Sequence, residues 1–441
     1  MNHIISALTK RVHPDVLYTQ ANQIWKAVSG LVTLLLIPVF LTQEEQGYWF
    51  TMMSLAMLVM LADLGFFTIT LQFAAHEFAY LRFEGGTVTG DELRKKRLAS
   101  LFVFCTKWAL LVVCVAFPVI LGIGFAFLSQ KPTALSWTWP WVVYVAGAGL
   151  TFFASAIIYF IEGCDSVGPM QKVRLWMAAV TVVVLWCGLA LDWGLYALSL
   201  SVLSGALFGL AVVTFSYGRL LMEFFAISRE FKYSWRSQFL GLLWRYALSW
   251  SSGYFIFQAY TPIMFHFHGP VEAGKVGLSI VLWMGVFSVA NAWVYAVTPR
   301  LNMHVSQRRW RDLDALFNKN LVRSSLTFIL GAAVVLVAMR VFQGRLSLID
   351  RLVGFVPMAF LATAWFFQIV VNGMGVYLRS HKQEPLVLPS VVSAVYVAAT
   401  TILCAKYLDV RWFFAGWLSC SIWGIPWVFA IFLRKKRAWQ T

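Results

Sequence analysis

Three charged residues lie inside apolar stretches of this sequence, and they are the first candidates for chemistry. They are Lys26, Asp63 and Lys107. Because an ionisable group within a hydrocarbon layer is costly, it usually faces a charged partner or a water-filled cavity. Asp63 lies deepest, since it follows Tyr48 by about 22 Å along a helix of 1.5 Å rise per residue. We predict that the three side chains line a polar cavity.

Each of the three charges also has a purely structural interpretation. Asp63 can serve as the buried partner of a neighbouring Lys. Lys107 lies about 12 Å inside its stretch, from where a long side chain nearly reaches the membrane interface. Lys26 is shallower still, so it fits a cavity and a lipid headgroup equally well. The sequence leaves these alternatives open.

Polar side chains at helical spacing form two stripes on otherwise apolar segments. The first stripe contains Asn22, Lys26, Ser29 and Thr33, and the second contains Arg245, Ser249, Ser252 and, further along, Gln258. Arg245 suits an anionic ligand because its planar fork forms paired hydrogen bonds, although an Arg also anchors helix starts at the interface. Asn291 lies deep in another apolar stretch, where it can bind a ligand hydroxyl or a neighbouring helix. We predict Arg245, Ser249 and Asn291 as further cavity-lining residues.

Sequence motifs for catalysis, nucleotides and metals are absent or weak. The chain has no GxxxxGK[ST] loop, which a bound ATP would require. Asp312 and Asp314 form a DxD pattern, but apolar residues recur around it at helical spacing and favour an amphipathic helix at the membrane surface. His266 and His268 have no third ligand nearby. We predict no catalytic residues, no metal site and no cofactor.

The composition indicates which elements must position these residues. The sequence is 60% hydrophobic and 12% charged, with a mean hydropathy of +0.73. Apolar stretches of about 20 residues, enough to cross a hydrocarbon core as a helix, recur along the whole chain. The predicted spans are 22–41, 48–75, 99–127, 139–161, 175–191, 194–217, 246–267, 276–298, 324–339, 352–377, 386–405 and 412–433. We therefore predict an all-α polytopic membrane protein of about twelve helices.

The basic residues predict the orientation of these spans. Most of the 35 Lys and Arg residues fall in the N-terminal segment, in alternate loops and at the C-terminus. Because positive loops stay on the cytoplasmic side, both termini are predicted to be cytoplasmic. The net charge of +16 is explained by this bias and by contact with anionic membrane lipids, so no nucleic-acid partner is expected.

A weak internal repeat suggests how the spans are grouped. Ser29-Gly30, Pro38 and Glu45-Gln46-Gly47 match Ser252-Gly253, Pro262 and Glu272-Ala273-Gly274 in order and approximate spacing. With twelve spans, this favours two six-helix halves in the same orientation. The predicted division is an N-terminal bundle over 1–217, a cytoplasmic linker over 218–245 and a C-terminal bundle over 246–441.

Several segments of the sequence resemble a known family of transporters. Leu36-Ile37-Pro38-Val39-Phe40-Leu41, Glu44 to Phe50 and Asp63-Leu64-Gly65-Phe66 look like the opening of Wzx-type oligosaccharide flippases. Trp244 to Trp250, Gly253-Tyr254-Phe255 and Gly269 to Gly274 are similar to later segments of polysaccharide-export proteins. These flippases belong to the multidrug/oligosaccharidyl-lipid/polysaccharide (MOP) exporter superfamily.

The resemblance implies a function and a location. The expected fold is two six-helix bundles that open a central cavity alternately to either side of the membrane. The expected substrate is an oligosaccharide linked to polyprenyl diphosphate, used for O-antigen, capsule or exopolysaccharide synthesis, and the expected location is the bacterial inner membrane. Membrane lipids and polysaccharide assembly proteins are the expected partners.

Two other functions compete with this prediction. An ion-coupled multidrug exporter of the same superfamily would share the fold, but it would prefer acidic cavity residues, which only Asp63 supplies. A membrane-embedded polysaccharide polymerase or ligase would need a substantial external loop, whereas the predicted external loops have ordinary connection lengths. We therefore predict a transporter and not an enzyme.

Overall fold

The computed structural model describes residues 14–84, 87–231, 233–381 and 383–440. Within these ranges, the side chains of 14–17, 240–246, 248–250 and 440 lie outside the description. Arg245 and Ser249, two of the predicted cavity residues, are therefore described only as part of the backbone of a helix. The described chain is almost entirely helical, with one two-stranded antiparallel hairpin.

The described residues of the first half contain eight helices and the hairpin. They are α1 (Pro14–Phe40), α2 (Gln43–Ala56), α3 (Met60–Asp63), α4 (Phe66–Phe78), β1 (Leu81–Glu84), β2 (Thr87–Gly90), α5 (Glu92–Leu128), α6 (Thr138–Gly163), α7 (Val167–Ala190) and α8 (Leu195–Glu230). In the hairpin, Leu81 pairs with Gly90 and Glu84 with Thr87. A short 3-10 turn at Met57–Val59 connects α2 to α3.

Eight further helices lie in the described part of the second half. They are α9 (Arg236–Phe257), α10 (Tyr260–His268), α11 (Pro270–Ser306), α12 (Trp310–Val341), α13 (Ser347–Asp350), α14 (Phe355–Ser380), α15 (Val387–Tyr407) and α16 (Ala415–Gln440). Helices are the expected element because a helix satisfies every backbone hydrogen bond of its interior within one apolar segment.

The predicted fold class is confirmed. Among the described residues, ten helices are long and apolar enough to cross a membrane, and the bent pair formed by Gln43–Asp63 and Phe66–Phe78 gives an eleventh. The remaining predicted span, 246–267, falls on α9 and α10, where many side chains lie outside the description. Several helices exceed the predicted spans: α5 has 37 residues, about 55 Å at 1.5 Å per residue, against a hydrocarbon core of about 30 Å.

The second predicted span, 48–75, is broken in the structure. Leu64 and Gly65 both adopt left-handed conformations, with φ of 52° and 81°. These two residues end α3 and precede α4, and the span bends by 45° there. A left-handed residue cannot continue a right-handed helix, and Gly65 adopts this conformation without a Cβ penalty. The hydropathy of the segment does not reveal this break.

The chain divides into two compact units. The first contains the chain up to Leu36 and the segment Leu55–Trp250, and the second contains Ile37–Ser54 and the chain from Ser251 onwards. The predicted bundle bounds, 1–217 and 246–441 with a linker over 218–245, stay a prediction. Helix α8 continues to Glu230, within the range predicted as linker.

In the second unit, the two repeated Glu-x-Gly motifs lie against each other. A Cβ atom added to Gly47 would collide with the carbonyl group of Pro270, and one added to Gly274 would lie 2.9 Å from the backbone nitrogen of Gly47. Gln46 Nε2 donates a hydrogen bond of 2.9 Å to the carbonyl of Gly274. The two motifs therefore pack helices α2 and α11 together at backbone distance.

Candidate functional site

A polar cavity lies within the first unit, between helices α1, α6 and α7. Its volume is ≈ 390 Å³, near the lower end of ordinary small-ligand pockets. Its polar lining residues are Asn22, Gln23, Lys26, Thr151, Ser155, Tyr159, Gln171 and Arg174. Such a concentration of amides, hydroxyls and cations is unusual on membrane-spanning helices and marks a candidate binding site.

A chain of polar contacts runs along one wall of this cavity. Asn22 Nδ2 donates to Gln171 Oε1 at 3.2 Å, and Gln171 Nε2 donates to Glu162 Oε1 at 3.0 Å. The guanidinium of Arg174 lies 2.7 Å from Glu162 Oε2 and 4.1 Å above the ring of Tyr159. The network thus connects all three helices and fixes the Arg174 side chain on an aromatic surface.

Lys26 and Asn22 both retain binding capacity in this cavity. Lys26 is exposed, and no ion pair forms on it among the described residues. Asn22 is only 2% exposed, and its Oδ1 atom has no hydrogen-bond partner in the described part of the chain. Since Glu162 neutralises Arg174, the cavity offers one unpaired cation together with a buried acceptor. An anion that also carries a hydroxyl or amide donor matches this combination.

Helix geometry places the two cations at the same level. At 1.5 Å per residue, Lys26 lies about 21 Å from the end of α1 at Phe40, and Arg174 lies about 24 Å from the end of α7 at Ala190. Both distances are shorter than the thickness of a hydrocarbon core, which is about 30 Å. Both residues lie in the half of their helix that precedes its midpoint, which is the half that the charge bias predicts to be nearer to the cytoplasm.

Asp63 is at the break of the second span, outside the residues that line this cavity. Its carboxylate faces the backbone amides of Gly65 and Phe67, while its buried Oδ1 atom has no full hydrogen-bond partner in the described part. Asp63 and Lys107, both described, form no ion pair within 4.0 Å. The exposed side chain of Lys107 lies about 31 Å from the end of α5 at Leu128. Functional roles for both residues stay predictions.

The remaining predicted site residues are Asn291, Arg245 and Ser249, and none of them is among the described residues that line this cavity. Asn291 is fully buried, and neither atom of its amide group has a hydrogen-bond partner among the described residues. It belongs to α11 in the second unit and does not line the cavity of the first. The side chains of Arg245 and Ser249 lie outside the description.

Glu162, Gln171 and Arg174 are not among the predicted site residues. They lie outside the predicted apolar spans, because the fourth span ends at residue 161 and the fifth begins at residue 175. In the structure α7 starts at Val167, so Gln171 and Arg174 lie one turn apart on the same helical face. This spacing is the sequence signal that would have grouped Gln171 with Arg174. Glu162 lies on α6 and has no such signal.

Comparisons with known proteins identify the fold. No protein family and no curated protein matches the sequence. An inward-facing multidrug resistance MATE transporter of the MOP superfamily is similar over 97% of this chain and 95% of its own, with 14% identity and a TM-score of 0.65.

Two other solved structures have a similar fold. The MATE multidrug transporter DinF-BH has 13% identity and a TM-score of 0.64, over 95% of this chain and 94% of its own. The lipid II flippase MurJ, in an inward closed conformation, has 13% identity and a TM-score of 0.63, over 94% and 87%. The chain therefore has the fold of MOP-superfamily transporters.

Proposed function

We propose that the protein is a flippase that moves a polyprenyl-diphosphate-linked oligosaccharide across the bacterial cytoplasmic membrane for surface polysaccharide synthesis. The observation that supports this most is the cavity of the first unit, where Lys26 and Arg174 lie among amides and hydroxyls within membrane-spanning helices. The fold is shared with the lipid II flippase MurJ. Membrane lipids and polysaccharide assembly proteins are the partners that this role requires.

The chemistry of such a substrate fits the cavity. A sugar cannot cross hydrocarbon unaided, because its hydroxyl groups would lose their hydrogen bonds to water. The amide of Gln23 and the Oδ1 atom of Asn22 offer replacement partners. The hydroxyls of Thr151 and Ser155 already donate to backbone carbonyls, so they can accept hydrogen bonds from the sugar. The anionic diphosphate requires a cation, which Lys26 supplies. The apolar polyprenyl tail meanwhile stays in the lipid.

A multidrug exporter of the same superfamily is the second candidate, since two of the similar structures are multidrug transporters. A cationic drug would need an available carboxylate. The described residues that line this cavity include no acidic group. Glu162, which contacts the lining residue Arg174 at 2.7 Å, is already neutralised by it. The balance of charge in the cavity thus favours an anionic substrate.

The DxD pattern does not support a transferase. Asp314 accepts a hydrogen bond of 2.9 Å from the hydroxyl of Tyr377. It also forms an ion pair of 2.8 Å with Lys436. Leu313, between the two Asp residues, is fully buried. Asp314 therefore holds three helices together, which is a structural role.

Deletion of the gene tests the proposal. We expect the lipid-linked repeat unit to be assembled and to accumulate on the cytoplasmic leaflet, with loss of surface polysaccharide. Mass spectrometry of polyprenyl-linked glycans, combined with enzymatic accessibility of the glycan in spheroplasts, measures both. Failure to assemble the repeat unit would instead indicate an enzyme. An intact glycan profile with new sensitivity to cationic drugs would indicate the exporter.

Substitution of Lys26 tests the site. Lys26→Gln should abolish complementation of the deletion at normal protein abundance, while Lys26→Arg should retain part of it because the positive charge is kept. Lys172→Gln is the matched control, since Lys172 is an exposed Lys on α7 that does not line the cavity. Equal export by Lys26→Gln and the wild type would remove this cavity from the transport route.

A further inference from the structure

The ion pair between Arg174 and Glu162 has an unusual geometry. Arg174 Nη2 and Glu162 Oε2 are 2.7 Å apart, yet neither atom makes an aligned hydrogen bond with any described residue. Both atoms are buried. The contact therefore supplies Coulombic attraction without the directional hydrogen bond that makes a charged pair strong. Each partner retains unused hydrogen-bonding capacity.

Arg174 is already held in position without Glu162. Its guanidinium lies on the ring of Tyr159 at 4.1 Å. The Arg174 side chain is 20% exposed, and it lines the cavity. An anion entering this cavity meets Lys26 and Arg174 on the same level. It can take the place of the carboxylate while Arg174 stays on its aromatic support.

A second cavity is available to the Glu162 side chain when it leaves Arg174. Besides contacting Arg174, it lines a second cavity of ≈ 470 Å³ in the same unit, together with Gly163, Asp165 and Val167 at the turn between α6 and α7. A carboxylate that loses its cation in a dry interior would be strongly disfavoured. Here the neighbouring cavity is large enough for water, so rotation of the side chain keeps the charge solvated.

We propose that Glu162 is an internal stand-in for the substrate's phosphate group. In the empty transporter its carboxylate neutralises Arg174, and an incoming phosphate oxygen displaces it. The exchange is purely ionic: one contact to Arg174 breaks, another forms, and no covalent bond changes. This inference rests on the proposed function for the identity of the anion. Its physical basis, an exchangeable counterion, is a property of the cavity itself.

The exchange would explain how one site both binds and releases a highly charged group. Two unmasked cations in a low-dielectric setting would hold a diphosphate tightly, which slows release on the other side. When the diphosphate leaves, the Glu162 carboxylate contacts Arg174 again. This new contact offsets part of the attraction that is lost between Arg174 and the diphosphate. Glu162 thus lowers affinity and promotes turnover.

The test measures anion binding and transport separately. Inorganic diphosphate is titrated into the purified full-length protein in detergent. Glu162→Gln should tighten binding by roughly tenfold, since it removes the competing charge. In cells the same variant should reduce surface polysaccharide, because release is slowed. Arg174→Gln should weaken diphosphate binding, and the double variant should bind like Arg174→Gln alone, because the effect of Glu162 acts through Arg174.

A matched control separates this exchange from general unmasking of positive charge. Glu223 pairs with Lys95 at 2.7 Å in the same unit but away from the cavity. Glu223→Gln should leave diphosphate binding unchanged, and an equal gain in both variants would contradict the proposal. Weaker binding in Glu162→Gln, at unchanged melting temperature, would show that Glu162 positions Arg174 for the anion and would also overturn it. Diphosphate binding is independent of the cellular glycan readout, so failure of the flippase assignment is recognised separately.

Discussion

At the scale of single residues, Gly47 shows how the absence of a side chain brings two helices together. A Cβ atom at this position would collide with the backbone of Pro270, which cannot move without shifting the start of α11. Gly47→Ala should therefore destabilise the protein by about 1 to 3 kcal/mol, the usual cost of overpacking. Thermal unfolding of the detergent-solubilised protein measures this loss as a lower melting temperature.

Gly30 provides the control for this substitution. A Cβ atom at Gly30 would meet no other atom within 4 Å, and the residue is exposed within α1. Gly30→Ala should leave the melting temperature unchanged or raise it, because Ala is favoured over Gly in a helix by roughly 0.5 to 1 kcal/mol. If both substitutions lowered stability equally, backbone proximity at Gly47 would not be the cause.

The same scale shows which parts of the site could be predicted from sequence. Lys26 is conspicuous because it is a charge on an apolar helix, and of its predicted stripe Asn22 and Lys26 line the cavity. Glu162 and Arg174 are equally important to the cavity, but they lie where hydrophobic spans end. Charged residues at such ends normally contact headgroups, so composition alone gives no reason to place them together.

At the scale of helices, the break at Leu64 and Gly65 is the feature least visible in the sequence. Gly65 adopts φ of 81°, which costs an L-residue with a Cβ atom about 1 to 2 kcal/mol. Gly65→Ala should therefore lower the melting temperature. Leu64→Gly should not lower the melting temperature, because Leu64 is already in the left-handed region at φ of 52° and Gly would remove the conformational cost. A continuous helix in solution would be stabilised by Gly65→Ala, which is the opposite result.

The end of α14 carries a contact whose strength should depend on pH. The ring of His381 stacks on Trp439 at 3.8 Å between centroids and lies near Trp310. Burial lowers the pKa of His381, while its hydrogen bond to the Tyr377 carbonyl and the charge of Asp314 oppose this shift. The folded protein therefore prefers the neutral imidazole.

The sign of the pH effect follows from this preference. Because the unfolded chain binds the proton more readily, the contribution of His381 to stability is present above its ordinary pKa of about 6.5 and is lost as the pH falls below it. The melting temperature of the wild type should therefore drop more between pH 8 and pH 5 than that of His381→Gln. Parallel curves for the two proteins would show that His381 is not responsible.

At the scale of the whole molecule, hydropathy predicted the fold class well and the helix ends poorly. The apolar part of α5 begins near residue 99, whereas the helix begins at Glu92, where the Asp91 side chain accepts a hydrogen bond of 2.8 Å from the amide of Arg94. A transfer scale detects only the part of a helix that lies in hydrocarbon. The scale contains no information on helix capping or on packing. It therefore does not reveal the start of α5 at Glu92 or the assignment of Ile37–Ser54 to the second unit.

The orientation of the whole molecule can be tested directly. The charge bias predicts that both termini are cytoplasmic. Loading of the cavity from the cytoplasm requires this orientation, since Lys26 lies in the first half of α1. Reporter fusions after Leu98, Arg236 and Arg437 should report the cytoplasm, and fusions near Glu44 and Thr133 should report the outside. A cytoplasmic signal at both Glu44 and Thr133 would contradict the arrangement of spans. Inversion of all five signals would keep the fold but move the Lys26 cavity to the external leaflet, where an assembled precursor could not load.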